Sequence, residues 1–180
     1  GSDLRERNAR SDVKRCRIGG ALPMRPPCGL ATAMNERVPE PEVWIARLRE
    51  IRHACVNGAP DIEADLVREA AHLLQSGPFF GIPTQLVDPA ELAAMLACDA
   101  AESAVLSLLG PDTVFMLSRG EATHGLATVI VGAGGEESTV EASTLALALL
   151  AAYLDGLIML IERAQAAMGK RSPRTETGGN

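Results

Sequence analysis

The apolar residues of the middle of the chain recur every three or four positions, which is the period of an α-helix. In residues 42–56 the apolar side chains of Trp44, Leu48, Ile51 and Cys55 fall on one face of such a helix. An Asn-Gly pair follows directly, and glycine is the residue expected where a helix ends. The spacing therefore predicts an amphipathic helix that ends near residue 57.

A second helix is predicted over residues 61–75, DIEADLVREAAHLLQ. Its acidic start suits the positive end of the helix dipole. Its apolar face is formed by Ile62, Leu66, Ala70, Leu73 and Leu74. Two amphipathic helices joined by a short loop are typical of a helical hairpin, here over residues 39–76. If the pair were a DNA-binding helix-turn-helix, four acidic side chains on its second helix would face phosphates, which argues against that interpretation.

A clear start signal predicts a third, longer helix. Asp88 is a candidate N-cap, Pro89 falls at the first helical position, and Glu91 follows three residues after the cap. Gly110 and Pro111 end the apolar pattern. The polar stretch CDAAES inside it predicts either a kink or an exposed turn.

Two strands are predicted next, over residues 113–118 and 127–131, because both are rich in β-branched and large apolar residues. The turn-rich RGEATHG joins them as a hairpin. Two strands are marginally stable in water, so the sheet must be covered by a helix or extended by another chain. The last predicted helix, residues 139–168, can cover it.

The apolar run within helix 139–168 raises the question of a membrane. It extends over about 17 residues and contains Asp155, whereas a span needs about 20 apolar residues. A buried core helix or an oligomer contact is favoured, and no membrane is expected. A helix that is apolar nearly all round leaves surface for a second copy, so a homodimer is predicted, with Leu150, Leu154 or Leu157 in the contact. The second copy could also pair edge to edge with the exposed hairpin strand.

The fold predicted from these elements is α+β: an N-terminal helical hairpin followed by an α-β-β-α unit in which a two-stranded antiparallel hairpin packs on helices. Residues 39–168 are expected to form a single globular domain, with the α-β-β-α unit over 88–168. Residues 1–38, basic and rich in proline, and residues 169–180 are expected to be disordered tails.

Charge divides the 180-residue chain in the same way. Residues 1–38 carry a net charge of +4, residues 39–168 carry −12, and residues 169–180 carry +2. An acidic body repels phosphate backbones, so nucleic acid binding by the folded part is not expected. Either the charge serves solubility, or an acidic face meets a basic partner.

Four cysteines, with no CxxC pair among them, predict reduced thiols in a bacterial, cytoplasmic protein. The arginine-rich start is not followed by the apolar region of a signal peptide. Met24 and Met34 are both candidate natural starts.

Four groups of residues are candidate chemical sites. The loop of residues 132–135, predicted between a strand and a helix, lacks the third glycine of a GxGxxG motif and precedes two glutamates, which disfavours a phosphate loop. A zinc site would need His53, Cys55, His72 and Cys98, whose spacing matches no zinc finger.

A catalytic triad would need Ser118, Glu121 and His124, which are only neighbours in a loop. Asp99 and Glu102, one helical turn apart, are explained by a solvated face. No catalytic, cofactor-binding or metal-binding residue is therefore predicted, no cofactor is expected, and an enzyme is less favoured than a binding protein.

The succession of a helix, LLGPD, a hairpin, an acidic loop and TLALALLAAYL resembles the small α-β-β-α sandwich of phage and prophage proteins of unknown function. The resemblance covers residues 88–160 and implies no functional residues. The favoured function is that of a small acidic accessory or regulatory protein, associated with a phage or prophage. It is expected to bind a protein partner or to self-associate through helix 139–168. Two alternatives stay open: a small enzyme with a site between hairpin and sheet, and a DNA-linked regulator that acts through its basic tails.

Overall fold

The computed structural model describes residues 40–78, 84–120 and 124–169. The predicted tails lie outside these residues, except for Gly169, which ends the last helix. Five α-helices and a three-stranded antiparallel sheet make up the described fold, and the predicted α+β class is confirmed.

The helical hairpin consists of α1 (Pro41–Asn57), a short 3-10 turn (Pro60–Ile62) and α2 (Glu63–Gln75). The predicted apolar face of α1 is buried throughout, and its tryptophan donates a hydrogen bond from Nε1 to the Leu73 carbonyl at 2.8 Å. The start of α1 and the end of α2 are thus joined by side-chain packing and by one partly buried hydrogen bond.

The third predicted helix is two helices, α3 (Pro89–Ala97) and α4 (Ala101–Leu108). Asp88 caps α3 as predicted, because its side chain accepts a hydrogen bond from the Ala90 N–H at 2.9 Å. Asp99 lies between the helices with φ of 55°, a left-handed conformation that a continuous helix does not allow. The polar stretch is therefore a real break, and the expectation that Asp99 and Glu102 share one helix is wrong.

The sheet has the order β1 (Thr113–Arg119), β2 (Gly125–Val131), β3 (Glu137–Ala142). The third strand corrects the predicted two-stranded hairpin and the predicted helix start at residue 139. Side chains in β3 alternate between buried and exposed, with Ser138, Val140 and Ala142 turned into the core. Side chains that alternate with a period of two suit a strand, and pairing with β2 stabilises these residues as a strand and not as a helical turn.

The final helix, α5 (Leu145–Gly169), begins after β3. Thr144 caps it, since its Oγ1 accepts a hydrogen bond from the Leu147 N–H at 3.1 Å. Gly125 of β2 allows this close approach, because a Cβ there would lie 2.5 Å from the Leu145 Cα.

Helix α5 is the centre of the core. The sheet packs against one side of it, and α1 and α4 pack against other sides. Leu150, Leu154 and Leu157 are completely buried by their own chain. The expectation that these leucines lie in a contact between two copies is therefore corrected, and a contact between copies needs another surface.

The acidic residue within α5 has partners on two neighbouring elements. Asp155 lies 2.6 Å from the Arg52 Nε and accepts a hydrogen bond from the Ser138 hydroxyl at 2.8 Å. It thereby connects α5 to α1 and β3.

By length and composition alone, α5 is apolar enough to cross a membrane, with a mean hydropathy of 2.0 in its most apolar window. Of that window, 72% is buried inside the fold, as is also typical of a core helix, so this feature is weak evidence. The absence of a membrane stays a prediction.

Candidate functional site

The outer face of the sheet is the main apolar surface that the described elements leave uncovered. Helix α5 packs on the inner face, where the odd-numbered residues of β1 and β2 point. On the outer face stand Val114 and Met116, each 67% exposed, beside Leu126 and the half-buried Ile130. We call these four residues the apolar sheet face. Exposed apolar groups that are contiguous mark binding surfaces more often than isolated ones do.

The strand register shows how this face is arranged. Val114 lies opposite Ile130, and Ile130 lies opposite Glu137. At the other end of the sheet, an apolar residue of β2 again lies opposite a glutamate of β3, since Leu126 lies opposite Glu141. The apolar sheet face is therefore bordered along β3 by two exposed carboxylates.

The two edges of the sheet differ. In β1 none of the seven residues is buried, and the only charged one is Arg119. In β3 two glutamates, Glu137 and Glu141, are exposed along the edge. Charged side chains on an edge strand oppose pairing with another chain, so the β3 edge is protected and the β1 edge is not.

Every arginine of residues 40–169 takes part in an ion pair, and this part of the chain has no lysine. The pairs are Arg47 with Glu50 and Glu69, Arg49 with Glu162, Arg52 with Asp155, Arg68 with Asp65, Arg119 with Glu102, and Arg163 with Glu136. The described surface therefore has unpaired carboxylates and no unpaired cation, which suits a cationic partner and not a phosphate.

A cavity of about 590 Å³ lies where the helical hairpin meets the sheet. Its charged lining residues are Glu63, Asp99, Glu102 and Arg119. Glu102 binds Arg119 at 2.5 Å, and Glu63 accepts a hydrogen bond from the hydroxyl of Thr144. Glu63 and Glu102 thus have separate partners, one on α5 and one on β1.

Hydroxyl groups in this cavity are also engaged. Ser143 donates to the Gly58 carbonyl at 2.7 Å, and Thr144 caps α5. The cavity lining contains no histidine. Nucleophilic catalysis requires a nucleophile and a base within hydrogen-bond reach. The contact of that kind in the described lining joins Thr144 to Glu63, and the same hydroxyl caps α5.

The glycine loop of residues 132–135 joins two strands, so its predicted position before a helix is wrong. Gly132 and Gly134 have φ of 73° and 71°, the values of a tight turn. Arg163 donates a hydrogen bond to the Gly134 carbonyl at 2.8 Å and pairs with Glu136. The loop holds the end of α5 and has no helix N-terminus to receive a phosphate.

The four residues weighed for zinc do not come together. Cys55 is buried in the core, and burial raises the pKa of its thiol to about 12. His53 lies on the exposed side of α1, 2.8 Å from the Asn57 side-chain nitrogen. Among residues 40–78, 84–120 and 124–169, no three metal-ligating side chains are placed to hold a metal ion.

Two of the residues considered for a triad, Ser118 and His124, line one cavity of about 200 Å³ beside Leu126 and Glu141. Ser118 lies on the outer face of β1 opposite Leu126, and no hydrogen bond joins it to His124 within the described chain. Glu121 lies outside the described residues.

Sequence reasoning missed the apolar sheet face, although it allowed that an exposed hairpin strand could pair with another chain. The available signal was the run TVFML, which is apolar without the alternation of a half-buried strand. Comparison with protein-family models, with curated proteins and with solved structures finds no match to this chain. The resemblance of residues 88–160 to phage proteins therefore stays a prediction, and the fold and its surfaces are what bear on function.

Proposed function

We propose that this protein is an accessory or regulatory protein that binds another protein through the apolar sheet face. The observation that carries the proposal is the exposure of Val114, Met116 and Leu126 on one continuous side of the sheet. These side chains stand on paired strands, so their positions are fixed before a partner arrives. A preformed apolar surface loses little conformational freedom on binding, which favours its use as a contact.

The charge around this face indicates the chemistry of the partner. Glu137 and Glu141 border the apolar residues, and no unpaired cation lies in the described part of the chain. A partner that presents an apolar patch beside lysine or arginine would satisfy both features. Rim charges of this kind act mainly on the rate of association and on specificity.

The test is affinity capture from lysate of the native host, followed by titration of each purified candidate. The informative variant is Leu126→Thr with Ile130→Thr, since threonine suits a strand but removes apolar surface. The matched control is Leu86→Thr, because Leu86 is equally apolar, exposed, and distant in sequence from the sheet.

A protein that binds the unmodified chain and the control, loses at least about tenfold in affinity for the double variant, and weakens as salt rises supports the proposal. Equal binding of the same proteins to all three chains contradicts it.

A second candidate, the small enzyme, is favoured by one observation: a cavity of about 590 Å³ lies at the predicted place between hairpin and sheet. A fragment screen by NMR tests it, since ligands that shift the signals of Ser103, Ser143 and Arg119 together would identify a small-molecule site. The regulator that acts through basic tails, the cytoplasmic location and the phage association are kept as proposals that rest on sequence alone.

A further inference from the structure

We infer that the β1 edge pairs with the β1 edge of a second copy, so that two sheets join into one antiparallel sheet of six strands. This inference deepens the proposed function, because it names a partner for one side of the same sheet. It rests on the hydrogen-bond pattern of β1, on the register in which β1 can pair with the β1 of a second copy, and on the difference in charge between the two sheet edges.

The hydrogen-bond pattern identifies which backbone groups of β1 face outward. Gly132 donates its N–H to the Asp112 carbonyl at 3.0 Å, and Gly120 donates to the His124 carbonyl at 3.1 Å. Both pairs continue the β1–β2 register by one residue at each end, and the residues that flank β1 in them, Asp112 and Gly120, are even-numbered. Because hydrogen-bonded pairs alternate along antiparallel strands, the even residues of β1 bond to β2.

The odd residues of β1 therefore direct their N–H and C=O groups to the free edge. These residues are Thr113, Phe115, Leu117 and Arg119, of which Thr113 already donates its N–H to the Gly110 carbonyl at 3.1 Å. Phe115 is 43% exposed although its side chain points to the inner face, because α5 lies beneath β2 and β3 and reaches β1 at few positions. The edge thus offers unpaired backbone groups and apolar side chains together.

A two-fold axis beside Met116 lets the strand pair with itself, with two hydrogen bonds in each central pair and one in each end pair, because the Thr113 N–H is already bound to Gly110. Phe115 then lies opposite Leu117 of the other copy, and Thr113 lies opposite Arg119 of the other copy. These are odd residues, so their outward backbone groups meet. Met116 lies opposite its own counterpart as a non-hydrogen-bonded pair, which brings the two side chains close. No like charges face each other in this register.

Two-fold pairing with a second copy is unfavourable at the β3 edge. By the β2–β3 register, the outward residues of β3 are the odd ones, and these include Glu137 and Glu141. A two-fold pairing about Thr139 would set each glutamate against a glutamate, and like charges directly opposite destabilise a sheet.

A basic extended peptide is a poorer fit to the β1 edge than a second copy is. The carboxylates of Glu137 and Glu141 stand two strands away, about 10 Å from β1. That separation is roughly one Debye length at physiological salt, so their attraction is weak there. The charge on β1 itself is that of Arg119, already bound to Glu102.

The decisive experiment is disulfide formation between copies of the full chain, with its other cysteines replaced by serine except the buried one. In a non-hydrogen-bonded pair the Cα atoms are about 4.5 Å apart, within the range of a disulfide. Met116→Cys is therefore expected to form a covalent dimer under mild oxidation. Val114→Cys is the matched control, because it has the same exposure on the same strand but does not face itself in this register.

Sedimentation equilibrium supplies a second readout. The unmodified chain is expected to dimerise, and Phe115→Lys is expected to raise the dimer dissociation constant at least about tenfold. Lysine at an exposed edge position is compatible with the folded sheet and opposes pairing. Far-UV circular dichroism checks that the variant is folded.

Monomeric unmodified protein, or equal cross-linking of the Met116→Cys and Val114→Cys chains, would overturn the inference. These outcomes are separate from failure of the proposed function, which is read from Leu126 and Ile130 on the central strand. Cross-linking through position 116 with unchanged partner capture by the Leu126→Thr, Ile130→Thr chain would support self-pairing and reject the partner surface.

Discussion

Replacing Asp155 by alanine tests the contact that connects α5 to β3 and α1. The Ser138 hydroxyl is buried, with 4% exposure of the residue, and donates to the Asp155 carboxylate at 2.8 Å. Loss of the acceptor leaves that hydroxyl unsatisfied at a cost of about 1–3 kcal/mol. The Arg52 pair is partly exposed and contributes about 0.2–1 kcal/mol. The higher helix propensity of alanine offsets about 0.5 kcal/mol of this loss.

The net expectation for Asp155→Ala is a fall of about 1–3 kcal/mol in the free energy of unfolding. The assay is urea unfolding at pH 7, followed by circular dichroism, for Asp155→Ala, Ser138→Ala and the double variant. Because the two side chains bond to each other, the double variant should be more stable than the sum of the single losses predicts, by about 1 kcal/mol.

The matched control is Glu162→Ala. It removes another acid from α5, one whose pair with Arg49 is exposed, so a change within about 0.5 kcal/mol is expected. If Asp155→Ala changes stability no more than this control does, or if the losses of the two single variants simply add, the Asp155 contact does not stabilise the fold and the reasoning is refuted.

Three further predictions concern the core. Gly125→Ala should lower the free energy of unfolding, measured in urea, by about 1–3 kcal/mol, because its Cβ would lie 2.5 Å from the Leu145 Cα. Unchanged stability would contradict that close approach. The Tyr153 hydroxyl is buried without a hydrogen-bond partner of normal geometry in the described chain, so Tyr153→Phe should leave stability unchanged or raise it, and a clear loss would show that the hydroxyl is bonded. Burial raises the pKa of Cys55 from 9.0 to about 12, so between these values the folded thiol keeps its proton while the unfolded thiol ionises. The stability that the buried thiol contributes is therefore fully present below pH 9 and is lost as pH rises towards 12. Cys55→Ala should weaken this alkaline loss in pH-dependent unfolding, and slow thiol labelling of Cys55 compared with the exposed Cys98 at pH 8 checks the same burial.

Local patterns determined much of the fold. The helical period placed Trp44 and Leu48 on the buried face of α1, and the cap at Asp88 began α3 where predicted. These features depend on residues within one or two helical turns, so they can be inferred without knowing what packs against them. The two apolar strands were found for the same reason.

The third strand could not be inferred in this way. Ser138 and Glu141 have the spacing of a helix capping box, and the apolar run of α5 follows closely, so the local signal is helical. Pairing with β2 overrides that signal, because Val140 gains a buried neighbour in Ala127 that no local contact supplies.

The surfaces that suggest a function were likewise decided by tertiary structure. The sequence alone indicated an acidic body, a very apolar last helix and no set of catalytic residues. Only packing showed that α5 is covered by its own chain and that the described elements leave one edge of β1 and much of its surface open, because α5 reaches β1 at few positions. An exposed apolar strand and a buried one have the same composition, and what distinguishes them is which elements lie against each face.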